Sequence, residues 1–97
     1  MREVRVTQRA ATDLYAIARH TARAWGDTPM ERYMRALDAR LRWLAGNPFA
    51  GRDRSDVAPG YRSFPEGRHT IFYLVADDHI ALIGVPHQAI DPDWQFG

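Results

Sequence analysis

The second half of the chain has the pattern of consecutive β-strands separated by turns. Residues 70–75 and 80–85 are rich in β-branched and aromatic side chains, which fit a pleated, half-buried surface. Two turn signals, Glu66-Gly67 and Asp77-Asp78, divide the region. The sequence from residue 60 to residue 91 therefore predicts three antiparallel strands in succession, a β-meander.

The first half of the chain predicts one short strand and then a helix. Residues 3–7 alternate apolar and charged positions, which is the period of a strand with one buried face. A helix is predicted over residues 8–25, with Thr7 as its N-cap and Gly26 as its stop. Its apolar stripe recurs every three to four residues and consists of Leu14, Ile17, Ala18, Thr21 and Trp25.

A second helix is predicted from a cluster of start signals just after Gly26. Thr28 is suited to the N-cap position, and Pro29 is suited to the first helical position. Glu31 completes a capping box with Thr28. The apolar stripe of this helix is Met30, Tyr33, Met34, Leu37, Leu41 and Leu44, and residues 46–48 end it. Because the link is only about three residues long, the two helices are expected to form an antiparallel hairpin.

This order of elements predicts an α+β fold in which the helical hairpin packs on one face of a mainly antiparallel, four-stranded sheet. With 97 residues, the chain is expected to be a single domain over residues 1–97. It lacks a secretory h-region and any apolar run near the ~20 residues that span a bilayer, so we expect a cytosolic protein without membrane contact. The absence of cysteine excludes disulfides and thiolate metal sites.

The central strand of the predicted meander is apolar on both faces. Ile71, Tyr73 and Val75 point to one side, whereas Phe72 and Leu74 point to the other. One helical hairpin covers only one face of a sheet. Phe72 and Leu74 are therefore expected to be exposed and to mark an interaction surface for a partner.

The second helix has two further features that bear on a partner. Trp43 lies about 120° from the apolar stripe, and it either fills the gap to the next loop or contacts a partner. All basic side chains are arginines, and residues 1–50 contain nine of them against five acids. Because arginine pairs with carboxylates and phosphates, this basic helical surface suits an acidic protein segment or a nucleic acid; the alternative is a solvated face without a partner.

Six short segments, in a fixed order along the chain, carry a resemblance to a known family. They are Arg9-Ala10-Ala11-Thr12-Asp13-Leu14, Trp25-Gly26, Asn47-Pro48-Phe49-Ala50-Gly51, Gly60-Tyr61-Arg62-Ser63, Gly67-Arg68-His69-Thr70-Ile71-Phe72-Tyr73 and Val85-Pro86-His87-Gln88. With the order of strands and helices, they resemble the ParE toxins of the RelE/ParE superfamily, from bacterial type II toxin–antitoxin systems. The resemblance extends over nearly the whole chain.

The resemblance implies a toxin that is wrapped and neutralised by a ParD-like antitoxin and that inhibits DNA gyrase, and so replication, without catalysis. An acidic, amphipathic antitoxin segment matches the predicted apolar sheet face and the basic helix. The expected antitoxin-binding residues are Phe72, Leu74, Trp43, Arg35 and Arg42.

The superfamily also contains RelE-like endonucleases, which cleave messenger RNA on the ribosome. RNA cleavage needs cations at the phosphate and a general acid and base, for which Arg62, Arg68 and His87 are the candidates. The positions that carry further basic residues or the catalytic tyrosine in those nucleases are Phe64, Thr70, Gln88 and Trp94 here. We therefore expect a non-enzymatic inhibitor, with a RelE-like nuclease and a non-toxic, antitoxin-binding regulatory remnant as alternatives.

The residues after the last predicted strand are the candidates for contact with the target. They are His87, Gln88, Trp94 and Phe96, although both aromatics have the alternative of folding back onto the core. No close-packed ligand motif accompanies the histidines, so neither a metal nor another cofactor is expected. Sequence-specific binding of nucleic acid is not expected either.

Overall fold

The computed structural model describes residues 2–89, which form two helices and five strands. The elements in chain order are β1 (Glu3–Val6), α1 (Gln8–Trp25), α2 (Asp27–Gly46), β2 (Arg52–Asp53), β3 (Tyr61–Glu66), β4 (His69–Val75) and β5 (His79–Gly84). The sheet has the order β1-β5-β4-β3-β2, with β1 parallel to β5 and all other neighbours antiparallel. The predicted α+β class, helical hairpin and meander are confirmed; the two-residue strand β2 was not predicted and raises the strand number from four to five.

Thr7 joins β1 to α1 and also connects the helix to the sheet. Its Oγ1 accepts the Ala10 N–H at 3.2 Å and donates to the Leu82 carbonyl of β5 at 2.8 Å. An N-cap hydroxyl satisfies one of the unpaired N–H groups of the first helical turn. The predicted N-cap is therefore confirmed, and the same hydroxyl also fixes the start of α1 over β5.

Gly26 alone connects the two helices, which differs from the predicted start of α2. With a φ of 93°, it closes α1 by donating its N–H to the Ala22 carbonyl at 2.9 Å and accepts the Met30 N–H at 3.3 Å. Only glycine adopts such a φ readily, so the chain reverses at one residue. Thr28 consequently lies inside the first turn of α2, and no side chain caps this helix. The predicted capping box of Thr28 and Glu31 is wrong.

The main core lies between the helical hairpin and one face of the sheet. Its buried residues are Ala10, Ile17, Leu37, Leu41, Leu44, Ala45, Ile71, Tyr73, Ile80, Leu82 and Val85. Both helices contribute residues of their predicted stripes. Ala18, Thr21 and Met30 lie outside this cluster, however, and Trp25, the last residue of α1, is 67% exposed. In the described part of the chain, no helix is both long and apolar enough to cross a membrane.

The second face of the sheet is covered at Phe72, so the expected exposure of this residue is wrong. Phe72 is 1% exposed, and Leu74 is half-buried. The Arg54 guanidinium lies 5.2 Å from the centroid of the Phe72 ring, and the backbone of Gly60 approaches Leu74. The segment between β2 and β3 therefore returns over this face. The prediction considered only the helices as cover and did not consider this polar loop.

Tyr73 attaches the loop after α2 to the centre of the sheet. Its hydroxyl donates to the Pro48 carbonyl at 2.8 Å and accepts the Gly51 N–H at 2.9 Å. A Cβ at Gly51 would overlap the Tyr73 ring, which explains why glycine is needed there. Burial raises the pKa of Tyr73, so the hydroxyl keeps the proton that it donates.

We predict that Tyr73→Phe lowers the free energy of unfolding by about 1–3 kcal/mol, because the buried Gly51 N–H and Pro48 carbonyl lose their partner. Urea denaturation followed by circular dichroism measures the change. Tyr15→Phe is the matched control, because it removes the hydroxyl of a side chain that is 65% exposed. Equal losses in the two variants would contradict this role of Tyr73.

Candidate partner-binding grooves

A first groove lies between the helical hairpin and the edge strand β1, and we call it the β1 groove. It encloses about 600 Å³ and is lined mainly by apolar side chains, among them Val4, Val6, Leu14, Met34 and Leu41. Arg2, Asp38 and Arg42 also line it. Val6 is 48% exposed although it is apolar and lies on a strand. The β1 groove is therefore an open apolar surface with charged residues beside it.

Within residues 2–89, no strand pairs with the outer backbone edge of β1, which is open next to this groove. The N–H groups of Glu3 and Thr7 donate towards β5, to Asp78 at 3.1 Å and to Leu82 at 3.2 Å. Because successive residues of a strand direct their backbone groups to opposite sides, those of Val4 and Val6 point to the open edge. An extended peptide can therefore pair with β1 while its side chains enter the groove.

The basic residues predicted on α2 lie on the same side of the helix as the β1 groove. Arg35 and Arg42 are seven residues apart and thus only about 20° apart around the helix. The Nε of Arg42 lies 3.1 Å from the Asp38 carboxylate, and both side chains are mostly exposed. An exposed pair of this kind contributes little stability, so Arg42 can exchange Asp38 for a carboxylate of a partner.

Trp43 lies on the opposite side of α2, against the sheet. Its ring centroid is 5.4 Å from that of Phe64, and the Arg40 guanidinium lies 5.0 Å from the Trp43 ring. Arg40 is fixed in turn by Glu66, at 2.9 Å. Trp43 thus packs on β3 and not on the loop after α2, and it remains 41% exposed, so its contact with a partner stays a prediction.

The five residues predicted to bind an antitoxin do not form one surface. Phe72 and Leu74 lie on the sheet face that is turned away from the helices, and Trp43 lies across α2 from the β1 groove. Only Arg42 lines this groove, with Arg35 on the same side of the helix. The sequence did contain a signal for the groove, because Val4 and Val6 alternate with charged residues in a short strand, but an open strand edge was not inferred from it.

A second groove, which we call the histidine groove, is lined by His20, His69 and His87. It lies between the two helices, the turn that joins β3 to β4, and the residues that follow β5, and it encloses about 790 Å³. The remaining lining includes Ile17, Trp25, Val85 and Pro86 as apolar residues and Arg32 and Arg68 as basic residues. Of the target-binding candidates, His87 lies in this groove.

A hydrogen-bonded pair, Tyr33 and His69, fixes one wall of the histidine groove. The Tyr33 hydroxyl donates to the Glu66 carbonyl at 2.8 Å, so the Nδ1–H of His69, 2.8 Å from the same oxygen, must donate to it. The rings of His69 and His87 are 5.4 Å apart and meet edge to face. Burial, and next the neighbouring His87, lower the pKa of His69. These contacts favour the neutral form of His69 with its proton on Nδ1.

Gln88, the second target-binding candidate, supports the turn at this groove. Its Nε2 donates to the Gly67 carbonyl at 3.0 Å and to the His69 carbonyl at 3.2 Å. The side chain is nevertheless exposed, so a contact with the target is still a prediction. Trp94 and Phe96 lie outside the described residues. Within residues 2–89, no group of three histidine, aspartate or glutamate side chains is arranged to hold a metal ion.

The three residues considered for RNA cleavage do not surround one phosphate-sized site. Arg62, at the start of β3, donates to the Gly51 carbonyl at 2.8 Å and lies 5.0 Å from the Phe49 ring. Arg68 is in the turn beyond the other end of β3, at least about 13 Å further along the strand direction. His87 neighbours Arg68 at the histidine groove. Arg62 therefore stabilises the loop after α2, apart from the other two residues.

The fold and its two grooves define a small α+β domain suited to binding protein partners. A solved structure described as the chromosomal ParDE TA system from P. aeruginosa shares the fold, with a TM-score of 0.75 and 22% identity over 90% of this chain and 96% of that chain. Residues 4–92 match the family model described as ParE toxin of type II toxin-antitoxin system, parDE.

Curated relatives agree with this match. Toxin ParE1 of Caulobacter vibrioides is 31% identical over 97 residues, which is 100% of both chains. Toxin ParE1 of Mycobacterium tuberculosis (strain H37Rv) is 39% identical over 70 residues, or 71% of each chain. The chain belongs to the ParE toxin family of type II toxin–antitoxin systems.

We predict that lowering the pH from 7 to 5 destabilises the protein in part through His69. Its pKa is lower in the folded chain than in the unfolded chain, where it is about 6.5, so the unfolded chain binds the proton first. The contribution of His69 is thus complete above about pH 6.5 and is lost as the pH falls through the folded pKa.

The variant His69→Asn, which keeps an amide donor near the position of Nδ1, should reduce this pH dependence. The urea midpoints of both proteins at pH 7 and pH 5 measure the difference. His20→Asn, at an exposed histidine of the same groove, is the matched control. A larger change in pH dependence from the His20 variant than from the His69 variant would be inconsistent with the assignment.

Proposed function

We propose that this ParE-family toxin is held inactive by a ParD-like antitoxin whose acidic, amphipathic segment binds the β1 groove. Once released, the toxin inhibits DNA gyrase by binding it, without catalysing a reaction. The observation that carries the antitoxin proposal is the open edge of β1 beside an apolar groove with arginines along α2.

The β1 groove matches an antitoxin segment in three respects. The backbone groups of Val4 and Val6 that face away from β5 have no strand partner among residues 2–89, and they are suited to hydrogen bonds with an extended partner strand. The exposed Val6 side chain and the apolar floor are suited to the apolar face of that partner. Arg35 and Arg42 are suited to its carboxylates. The shared fold with a chain of a ParDE system supports a partner of the ParD type.

Inhibition of gyrase is the activity that the resemblance to ParE toxins implies. The positions of the candidate catalytic residues support inhibition by binding over RNA cleavage. Arg62 is held by Gly51 and Phe49 and is far from Arg68 and His87. A cleavage site needs its cations converged on one phosphate, because the charge that develops there is stabilised only by groups already in place.

Val6→Glu is expected to weaken binding of the cognate ParD-like antitoxin at least about tenfold, or ~1.4 kcal/mol, because it places an unpaired carboxylate in the apolar groove. Isothermal titration calorimetry with the purified antitoxin measures this. Tyr15→Glu is the matched control: Tyr15 is exposed on α1, outside both grooves, and receives the same charge. Antitoxin affinity that is unchanged by Val6→Glu, or lowered equally by both variants, would place the antitoxin elsewhere.

Expression of the chain without its antitoxin tests the proposed target. Incorporation of labelled thymidine should stop before incorporation of labelled methionine, because a poisoned gyrase blocks replication first. The purified protein should inhibit supercoiling of relaxed plasmid by gyrase. Early arrest of methionine incorporation with cleaved transcripts would instead identify a ribonuclease, and normal growth would identify a non-toxic remnant.

A further inference from the structure

We propose that the histidine groove is the surface through which the toxin contacts its cellular target, and that it receives an acidic, partly apolar segment of that target protein. The proposal rests on the proposed function, because it takes the toxin to act by binding a target. It adds the site on the toxin and the chemistry of the segment that is bound.

The shape and lining of the histidine groove suit a protein segment. It encloses about 790 Å³. Ile17, Val85 and Pro86 supply apolar lining. Trp25 also lines the groove and is 67% exposed at the end of α1. An exposed tryptophan beside an apolar groove is the kind of residue that anchors protein interfaces.

The charges of the histidine groove favour an acidic occupant. Arg32 and Arg68 are exposed, and neither forms an ion pair with another residue of the range 2–89. Among the described residues of the lining, the one acidic residue is Asp13, and its Oδ2 already accepts the Val85 N–H at 2.8 Å. A partner carboxylate would meet two guanidinium groups that bind no carboxylate of residues 2–89.

The histidine groove is independent of the β1 groove. The two share no lining residue in the described part of the chain. On α2 they lie about 160° apart around the helix, with Met34 and Leu41 on one side and Arg32 and Ala36 on the other. A helix with its side chains is about 10–12 Å wide. An antitoxin in the β1 groove therefore leaves most of the histidine groove uncovered, although Arg32 lies only about 60° around α2 from Arg35. It also stands close enough to hinder a large target.

A protein segment fits the histidine groove better than a nucleic acid does. Binding of nucleic acid draws its affinity from many phosphate contacts along an extended basic surface. This groove offers two arginines and an apolar floor, and the chain as a whole has a net charge of only +1. An occupant of this groove would bury apolar side chains on the floor and place acidic groups beside the two arginines. A protein segment that contains both acidic and apolar residues meets these two requirements.

The double variant Arg32→Glu/Arg68→Glu in the full chain tests the proposal. It should weaken inhibition of gyrase supercoiling at least about tenfold, abolish growth arrest and keep its affinity for the ParD-like antitoxin within about threefold. Arg19→Glu/Arg23→Glu, which changes the same number of charges on α1 outside both grooves, should keep all three properties. Circular dichroism and urea midpoints check that both variants fold, and Trp25→Ser provides a second, uncharged test of the same groove.

The outcomes separate this proposal from the proposed function. If the wild-type chain arrests growth but does not inhibit gyrase, the proposed target is wrong, and growth arrest still tests the groove.

Folded groove variants that arrest growth like the wild type overturn the proposal, as does a loss of antitoxin binding in these variants. Binding of a labelled DNA or RNA oligonucleotide that depends on Arg32 and Arg68 would assign the groove to nucleic acid and overturn it as well. A wild-type chain without toxicity overturns both.

Discussion

The central strand β4 has large apolar side chains on both faces, and this constraint determines how the rest of the chain is arranged. Ile71 and Tyr73 are buried beneath the helical hairpin, whereas Phe72 is buried on the opposite face. Two covers are therefore needed. The helices supply one, and the segment between β2 and β3 contributes to the other through Arg54. Tyr73 connects the two covers: its side chain is buried beneath the hairpin, and its hydroxyl fixes the loop that leads into β2.

Once both faces of β4 are covered, the apolar surface that remains available lies along the helices and at the edge of the sheet. The β1 groove adjoins an open strand edge, and the histidine groove lies beyond the ends of β3 and β5. Both combine apolar lining with arginines, which suits acidic amphipathic partners. A toxin that must be bound by an antitoxin and must also reach a target needs two such surfaces, or one surface for which the two compete.

Local features of the sequence were sufficient to predict most of the fold. Thr7 and Gly26 mark the ends of α1 because capping and a left-handed φ depend on only a few neighbouring residues. The meander followed from residue type and turns. Phe72 was placed wrongly because it contacts Arg54, eighteen positions earlier in the chain, and no periodic pattern reports on such a contact. For the same reason β2 was missed: a two-residue strand has no period, and it exists only because β3 lies next to it.

The candidate sites were predicted less well than the fold, since residue type does not show how a side chain is used. Arg62 and Gln88 stood out as possible contacts for RNA or for a target, yet each donates to backbone carbonyls and holds a loop or a turn in place. Arg32 has the same chemistry as Arg62 but no carbonyl or carboxylate partner among the described residues. An arginine is structural when its guanidinium already has hydrogen-bond or ion-pair partners within the fold. An arginine without such partners is available to bind another protein. By that criterion Arg32, Arg35 and Arg68, which have no ion pair among residues 2–89, are suited to bind another protein. Arg42, in its weak exposed pair, is suited as well, and it lies about 80° from Arg32 around α2.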